Sequence, residues 1–445
     1  MGHVPEINLM KPEHIETILG SSKHIDKAFM YNFLHPWLGT GLLTSTGHKW
    51  HTHRKMITPT FYFKILGNFV EVFSEKSEIL VSKLQKEVGS QGFNVYPYIT
   101  KCASDIICET AIWTAVHTQD ETDAEYLSAE YDMSELTLFH MIHPWLYPDW
   151  LFKLTKAGRR YDECLKILHG FTKMVQYAAI FEWQEELYST KQHVIHERKE
   201  LHNQTQKESE TSPATEEATL EWITGTKRRL AFLDFLLDAS HNGVKLTDEV
   251  LREEVDTSMF DIGESLNPNM KLCIVYLFEI PYGLRLHFFQ IGGVATDLNI
   301  NKLKMAQIQF ISQCCKIHNY TLNPYGISNK YTIPAGVMTT MHIYYLHQNP
   351  DQFPNPQNFE PNVFLLGRVA KRHPYAYIPF SAGPRKCIEQ KFALLEEKTV
   401  LSYFLCHYEL RSLVKREDIN LTADLILKPE NGLQVVITRR DSLEE

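Results

Sequence analysis

Along most of the chain apolar residues recur at three- and four-residue intervals, the spacing of one buried helix face. Ile65, Phe69, Val72, Phe73, Ile79 and Leu80 keep that spacing near the start of residues 65–200, which read as largely amphipathic helix. Before them, Lys11-Pro12-Glu13 opens a short helical pattern, with proline where a helix start accepts it. Residues 103–110 read as buried helix with Cys108 in the core, and His143-Pro144-Trp145-Leu146-Tyr147-Pro148 breaks the pattern. Residues 230–237 and 251–260 are helical again, and Phe392, Leu395, Phe404 and Leu405 predict a late helix. Strand signals are few. Tyr331-Thr332-Ile333 enters a Pro334–Gly336 turn. Residues 425–427 and 433–437 flank Asn431-Gly432, a pair suited to a tight hairpin. Residues 203–219 are polar and acidic and read as a mobile surface loop within one domain, 1–445, not as a boundary.

Composition narrows the class. With 445 residues, 44% apolar and 22% charged, the chain has material for a large core and none of the bias of a disordered protein. A formal net charge of −9 gives no global basic signal for nucleic acid. The eight cysteines have neither zinc spacing nor the density of a disulfide framework, which favours a reducing compartment. No apolar run approaches the roughly 18 residues of a membrane span, and the polar start lacks a signal-peptide pattern.

Candidate chemistry concentrates in Phe380-Ser381-Ala382-Gly383-Pro384-Arg385-Lys386-Cys387-Ile388-Glu389-Gln390. Ser381 to Pro384 permit a tight loop that can approach a flat ligand. Arg385 and Lys386 favour Cys387 as a thiolate, and so does the positive end of a helix beginning just after it. Such a thiolate suits haem iron. The Phe-x-x-Gly-x-Arg-x-Cys spacing resembles the haem-binding loop of cytochromes P-450. Tyr377-Ile378-Pro379 and Gln390-Lys391-Phe392-Ala393 on either side resemble its family-four branch, insect members in particular. Glu389 stands where that family usually has glycine; if the position needs positive φ, a side chain there costs about 1–2 kcal/mol.

The resemblance implies a mainly α cytochrome P-450 fold with small β-sheets, and it implies roles elsewhere. Trp50 and Arg54, four apart on one helix face, correspond to a pair that meets a haem propionate, with Arg385 as a further propionate anchor. Asp261-Ile262-Gly263-Glu264-Ser265 resembles the distal stretch of the long central helix, where Glu264 and Ser265 would relay protons. Asp261 falls where many members join a glutamate to a haem methyl. The proximal Glu-x-x-Arg motif is missing: residues 280–359 hold no glutamate, and Val363 replaces the arginine that completes its ion network. Residues 280–329 therefore read as divergent. The family's membrane anchor and additional N-terminal sheet segment are expected to be absent.

The implied function is a haem-thiolate monooxygenase. Its cofactor is haem b on Cys387 and its co-substrate dioxygen. Electrons come from NADPH through a flavoprotein reductase, with a cytochrome b-type donor as a second source. The substrate is a lipophilic molecule such as a fatty acid, a hormone-like lipid or a xenobiotic. Location at the cytosolic face of the endoplasmic reticulum and peripheral membrane contact follow from the same resemblance. Arg54, Lys55, Lys386 and Lys391 would form a basic patch for an acidic redox partner. No G-x-G-x-x-G fingerprint follows a strand, so NADPH is expected to act indirectly. Glu389 and the missing network leave a rival open: a degenerate relative that binds haem or a lipophilic ligand without turnover.

Overall fold

In the computed structural model, eight helices carry most of the described architecture. Five lie in the first third of the chain: α1 (Pro12–Leu19), α2 (Gly47–Ile57), α3 (Phe63–Leu84), α4 (Tyr96–Ile112) and α5 (Ala124–Ile142). They are followed by α6 (156–177), α7 (248–260) and α8 (Gln390–His407). The structure describes residues 5–61, 63–112, 119, 124–177, 180–181, 236–237, 246–260, 317–321, 325–328, 331–334, 336–356, 361–364, 366–415, 418–423, 425 and 427–440. The polar stretch 203–219, Asp261, Glu264 and Ser265 lie outside them, as does most of 280–329.

The periodicity of the first long helix has its physical counterpart in α3. Phe69, Val72, Phe73 and Leu80 are buried and Ile79 is half-buried. They face α8, where fully buried Phe392 takes edge contacts from Phe69 at 5.8 Å, Phe73 at 5.0 Å and Phe61 at 6.5 Å. Burying such a ring contributes roughly 1.5–3 kcal/mol, and its edge contacts add to that. Cys102 and Cys108 on α4 are buried in the same core.

Two three-stranded sheets flank the helices. In the first, β6 (Met338–His342) lies between β1 (Glu6–Leu9), parallel to it, and β3 (Ile317–Thr321), antiparallel. This pairing brings the start of the chain beside residues more than 300 positions later, and α1 follows at once. In the second, β10 (Gln434–Arg439) is central between β2 (Phe93–Asn94) and β7 (Tyr408–Ser412), both antiparallel. Two smaller antiparallel pairs join β4 (Tyr325–Ser328) to β5 (Tyr331–Ile333) and β8 (Leu421–Ala423) to β9 (Leu427–Pro429).

The hairpin expected across Asn431-Gly432 does not form. β9 pairs with β8, while β10 pairs with β7 and β2. The turn instead docks on Asn94, whose Oδ1 accepts N–H bonds from Leu433 at 3.0 Å and Tyr96 at 3.1 Å. Gly432 has φ +65°, and a Cβ there would lie 2.4 Å from the Asn94 side chain. The glycine serves close approach between segments.

Candidate functional site

The cysteine loop closes on itself through backbone bonds. Ser381 N–H donates to Ile378 O at 3.0 Å, Lys386 N–H to Gly383 O at 3.2 Å and Cys387 N–H to Phe380 O at 2.9 Å. Ser381 and Gly383 both have positive φ, +59° and +68°. Gly383 is the position where no side chain fits: a Cβ would sit 1.7 Å from the Leu19 carbonyl oxygen at the end of α1. Thus β1, by pairing with β6, seats α1 against the loop. Glu389 is buried and precedes α8 with φ −90° and ψ 6°. That φ is negative, so the positive-φ strain considered for a side chain at 389 is absent.

Two arginines lie close to Cys387 in the fold, and its thiol is half-buried. Arg385 donates from Nε to Ile25 O at 2.9 Å, from Nη1 to Leu42 O at 3.1 Å and from Nη2 to Ser45 O. Its guanidinium lies 4.5 Å from the Trp50 ring centre, a cation–π contact. Arg54, one turn beyond Trp50 on α2, donates from Nη1 to Lys386 O at 2.8 Å. Burial lowers the Arg54 pKa, while the negative charges of Cys387 and Glu389 pull it back up. The structure therefore assembles five of the singled-out residues: Trp50, Arg54, Phe380, Arg385 and Cys387. It leaves Glu264 and Ser265 undescribed, beyond the end of α7 at 260.

Several residues that bear on this region were not legible from sequence. Glu254 on α7 is buried; its Oε1 takes a bond from His53 Nδ1 on α2, and its Oε2 accepts the Leu42 N–H at 3.1 Å. Next to it, Glu253 pairs with Lys49 at 2.8 Å. The only sequence signal was a run of acids, Glu253, Glu254 and Asp256, inside an otherwise buried helix. Behind the loop, buried His347 accepts the Ile378 N–H at 3.0 Å on Nε2. Arg372 donates to Val363 O at 2.7 Å and stacks 4.1 Å from the Phe353 ring.

A family model described as Cytochrome P450 matches residues 1–263 and 313–437. The chain belongs to the cytochrome P450 family. Cytochrome P450 4c21 of Blattella germanica is 42% identical over 453 residues, covering 99% of this chain and 85% of that protein. Cytochrome P450 4c3 of Drosophila melanogaster is 39% identical, with 99% and 81% covered, and human cytochrome P450 4V2 is 37% identical, with 100% and 82% covered. The insect family-four likeness of the flanking residues is thereby borne out. The fold is that of a cytochrome P450 haem domain: the crystal structure of the cytochrome P450DA heme domain superposes with TM-score 0.75 at 19% identity, covering 98% of this chain and 88% of that one.

The family match pauses at 264–312 and resumes at 313, inside the stretch 280–329 read as divergent. Cytochromes P450 are haem-thiolate monooxygenases, and family membership brings haem b on a cysteine thiolate, dioxygen, and NADPH-derived electrons passed by a reductase. Lipophilic substrates and a reductase partner are general to the family. The donor set here suits that cofactor: a half-buried thiol, two guanidinium groups for carboxylates, a buried indole, and a glycine loop without side-chain bulk. Among the described residues no helix is long and apolar enough to cross a membrane.

Proposed function

We propose that this chain is an active haem-thiolate monooxygenase that hydroxylates a lipophilic substrate, and that Cys387 is the iron ligand. The observation that carries the reading is the closed loop around Cys387, held by Arg54 at Lys386 O and tied by its own Arg385 to Trp50 and the 25–45 segment. Arg54 and the start of α8 favour loss of the Cys387 Sγ proton. Trp50, Arg54 and Arg385 would hold the haem propionates, and Phe380 packs beneath the loop. Haem bound there supplies oxygen activation, with one oxygen atom entering the substrate and the other leaving as water. The Glu264 carboxyl holds a proton and the Ser265 hydroxyl passes it inward from solvent. Asp261, one methylene short of the family's glutamate, is not assigned a covalent link.

Fatty acids, hormone-like lipids and lipophilic xenobiotics are the substrate class. A flavoprotein reductase would dock on the surface where Lys55, Lys386 and Lys391 are exposed beside Arg54. Trp145, Trp150 and Leu154 are about two-thirds exposed around the break after α5, an apolar patch that supports peripheral contact with the endoplasmic reticulum membrane.

The second reading, a relative without turnover, is favoured by one feature: Val363 and the missing Glu-x-x-Arg leave the proximal ion network unmade. Against it, Glu389 carries no positive-φ strain, and buried His347 holds Ile378 just before the loop, while Arg372 ties Val363 to the same region of the chain. The test is the reduced, carbon-monoxide difference spectrum of the chain expressed with haem supply. A strongly red-shifted thiolate band that disappears in Cys387→Ala is expected. Haem-free protein, or only a neutral-thiol band, would establish the second reading instead.

A further inference from the structure

A closed circuit of contacts runs through the site and joins three segments distant in sequence. The Leu42 peptide is its junction. Its carbonyl accepts from Arg385 Nη1 at 3.1 Å, and its N–H donates to Glu254 Oε2 at 3.1 Å. Glu254 Oε1 in turn accepts from His53 Nδ1 on α2. One residue further along α2, Arg54 returns to the loop through Lys386 O at 2.8 Å. The two bonds of Glu254 are buried, so little water competes for them, while the Arg385–Leu42 bond is half-buried and the Arg54–Lys386 bond lies at the surface. The 39–42 strand of chain lies hard on α7: a Cβ at Gly39 would sit 2.4 Å from the Glu253 side chain, and one at Gly41 2.3 Å from Thr257 Oγ1. The helix that leads to the distal face is thus tied to the thiolate loop by one carboxylate.

We infer that Glu254 is a positioning residue for the haem-thiolate chemistry: through Leu42 and His53 it sets the two arginines and the cysteine loop relative to α7. The inference rests on the functional reading above, and it makes α7 the element that transmits a change on the distal side to Cys387. This bracing shares no residue with the His347–Ile378 bond, and it uses none of the residues of the missing proximal network.

The bonding pattern sets the test, made on the haem-loaded full chain. Glu254→Gln keeps an oxygen for the Leu42 N–H and an N–H for the other His53 tautomer but loses the charge, so it should fall between the parent and Glu254→Leu. Glu254→Leu removes both bonds, and His53→Phe removes one while filling the space. Lys49→Met is the control, because it breaks the neighbouring half-exposed contacts with Glu253 and Thr40 and leaves the bonds of Leu42, Glu254 and His53 in place. In Glu254→Leu and His53→Phe, amides of residues 380–388 are expected to exchange with deuterium about tenfold faster, the effect of losing a charge-assisted hydrogen bond. The ratio of thiolate to neutral-thiol band at equal haem content should fall with it. Lys49→Met should stay within about twofold of the parent, and Glu254→Gln should shift less than Glu254→Leu. If Glu254→Leu does not accumulate, His53→Phe carries the test alone. Unchanged exchange at 380–388 in either variant, an effect of Glu254→Gln as large as that of Glu254→Leu, or an equal effect of Lys49→Met overturns the proposal. A parent chain with no thiolate band would overturn the functional reading, and the exchange data would still decide the circuit.

Discussion

Gly383 shows how a single residue carries the site. Its φ of +68° already disfavours a side chain, and the Leu19 carbonyl oxygen occupies the place a Cβ would take. Gly383→Ala is expected to cost about 1–2 kcal/mol through the backbone and about 1–3 kcal/mol more through overpacking. Differential scanning calorimetry should record a lower Tm, and haem content should fall with it; an unchanged Tm would show that α1 moves aside freely. Glu389 teaches the reverse lesson. The sequence flagged it as a departure, yet its backbone is ordinary, so its effect is electrostatic. Its buried carboxylate and the Cys387 sulfur both raise the Arg54 pKa against the lowering by burial. Glu396 on α8 is a further buried acid, with neither oxygen hydrogen-bonded, and burial pushes its pKa well up.

At the scale of the element, α7 carries more of the buried polar chemistry than any periodicity argument indicated. Asp256 on α7 accepts from Thr172 of α6 at 2.6 Å and from Arg252 at 2.5 Å, with His169 of α6 at 3.8 Å. Burial raises its pKa from 3.8 to about 7, although Thr172 and Arg252 lower it; neighbouring Glu253 adds to the rise. Folded protein therefore holds a proton on Asp256 that the unfolded chain has released. Stability is lost as pH rises from 3.8 toward about 7, by at most about 1.4 kcal/mol per pH unit, and levels off above. His169 acts in the opposite sense, since burial lowers its pKa below 6.5 and its stabilising effect is lost as pH falls. The parent-minus-variant difference for Asp256→Asn isolates the aspartate. Chemical denaturation at pH 5, 6 and 7 should show that difference shrinking as pH rises, and a difference independent of pH would refute the assignment.

For the whole molecule, long-range pairing decides where the functional pieces meet. β1 on β6 puts α1 under the cysteine loop, and α3 on α8, through Phe392, fixes the helix that begins beside Cys387. Outside this frame, Trp145, Trp150 and Leu154 gather exposed apolar area at one place. Replacing Trp145 and Trp150 together with serine should weaken binding to phosphatidylcholine vesicles by roughly tenfold or more, because partitioning scales with buried apolar area. Sedimentation of the chain with such vesicles would measure it, and equal binding by parent and variant would remove this patch from the membrane face.

The helical periods, the cysteine loop and the Trp50–Arg54 face are legible in the amino-acid order, because each is written within a few residues and follows from backbone geometry and local charge. The mostly helical fold with small sheets followed from those motifs by resemblance. What lies across from what depends on how the distant segments pack. The Asn431-Gly432 pair looked like a hairpin because turn chemistry is local, whereas β10 found β7 and β2 through burial of Val435 and Ile437. Glu254 looked like one more acid on a helix until folding set it against His53 and Leu42, about 200 positions away. A buried carboxylate is stable only with partners, and those partners are supplied by the path of the whole chain.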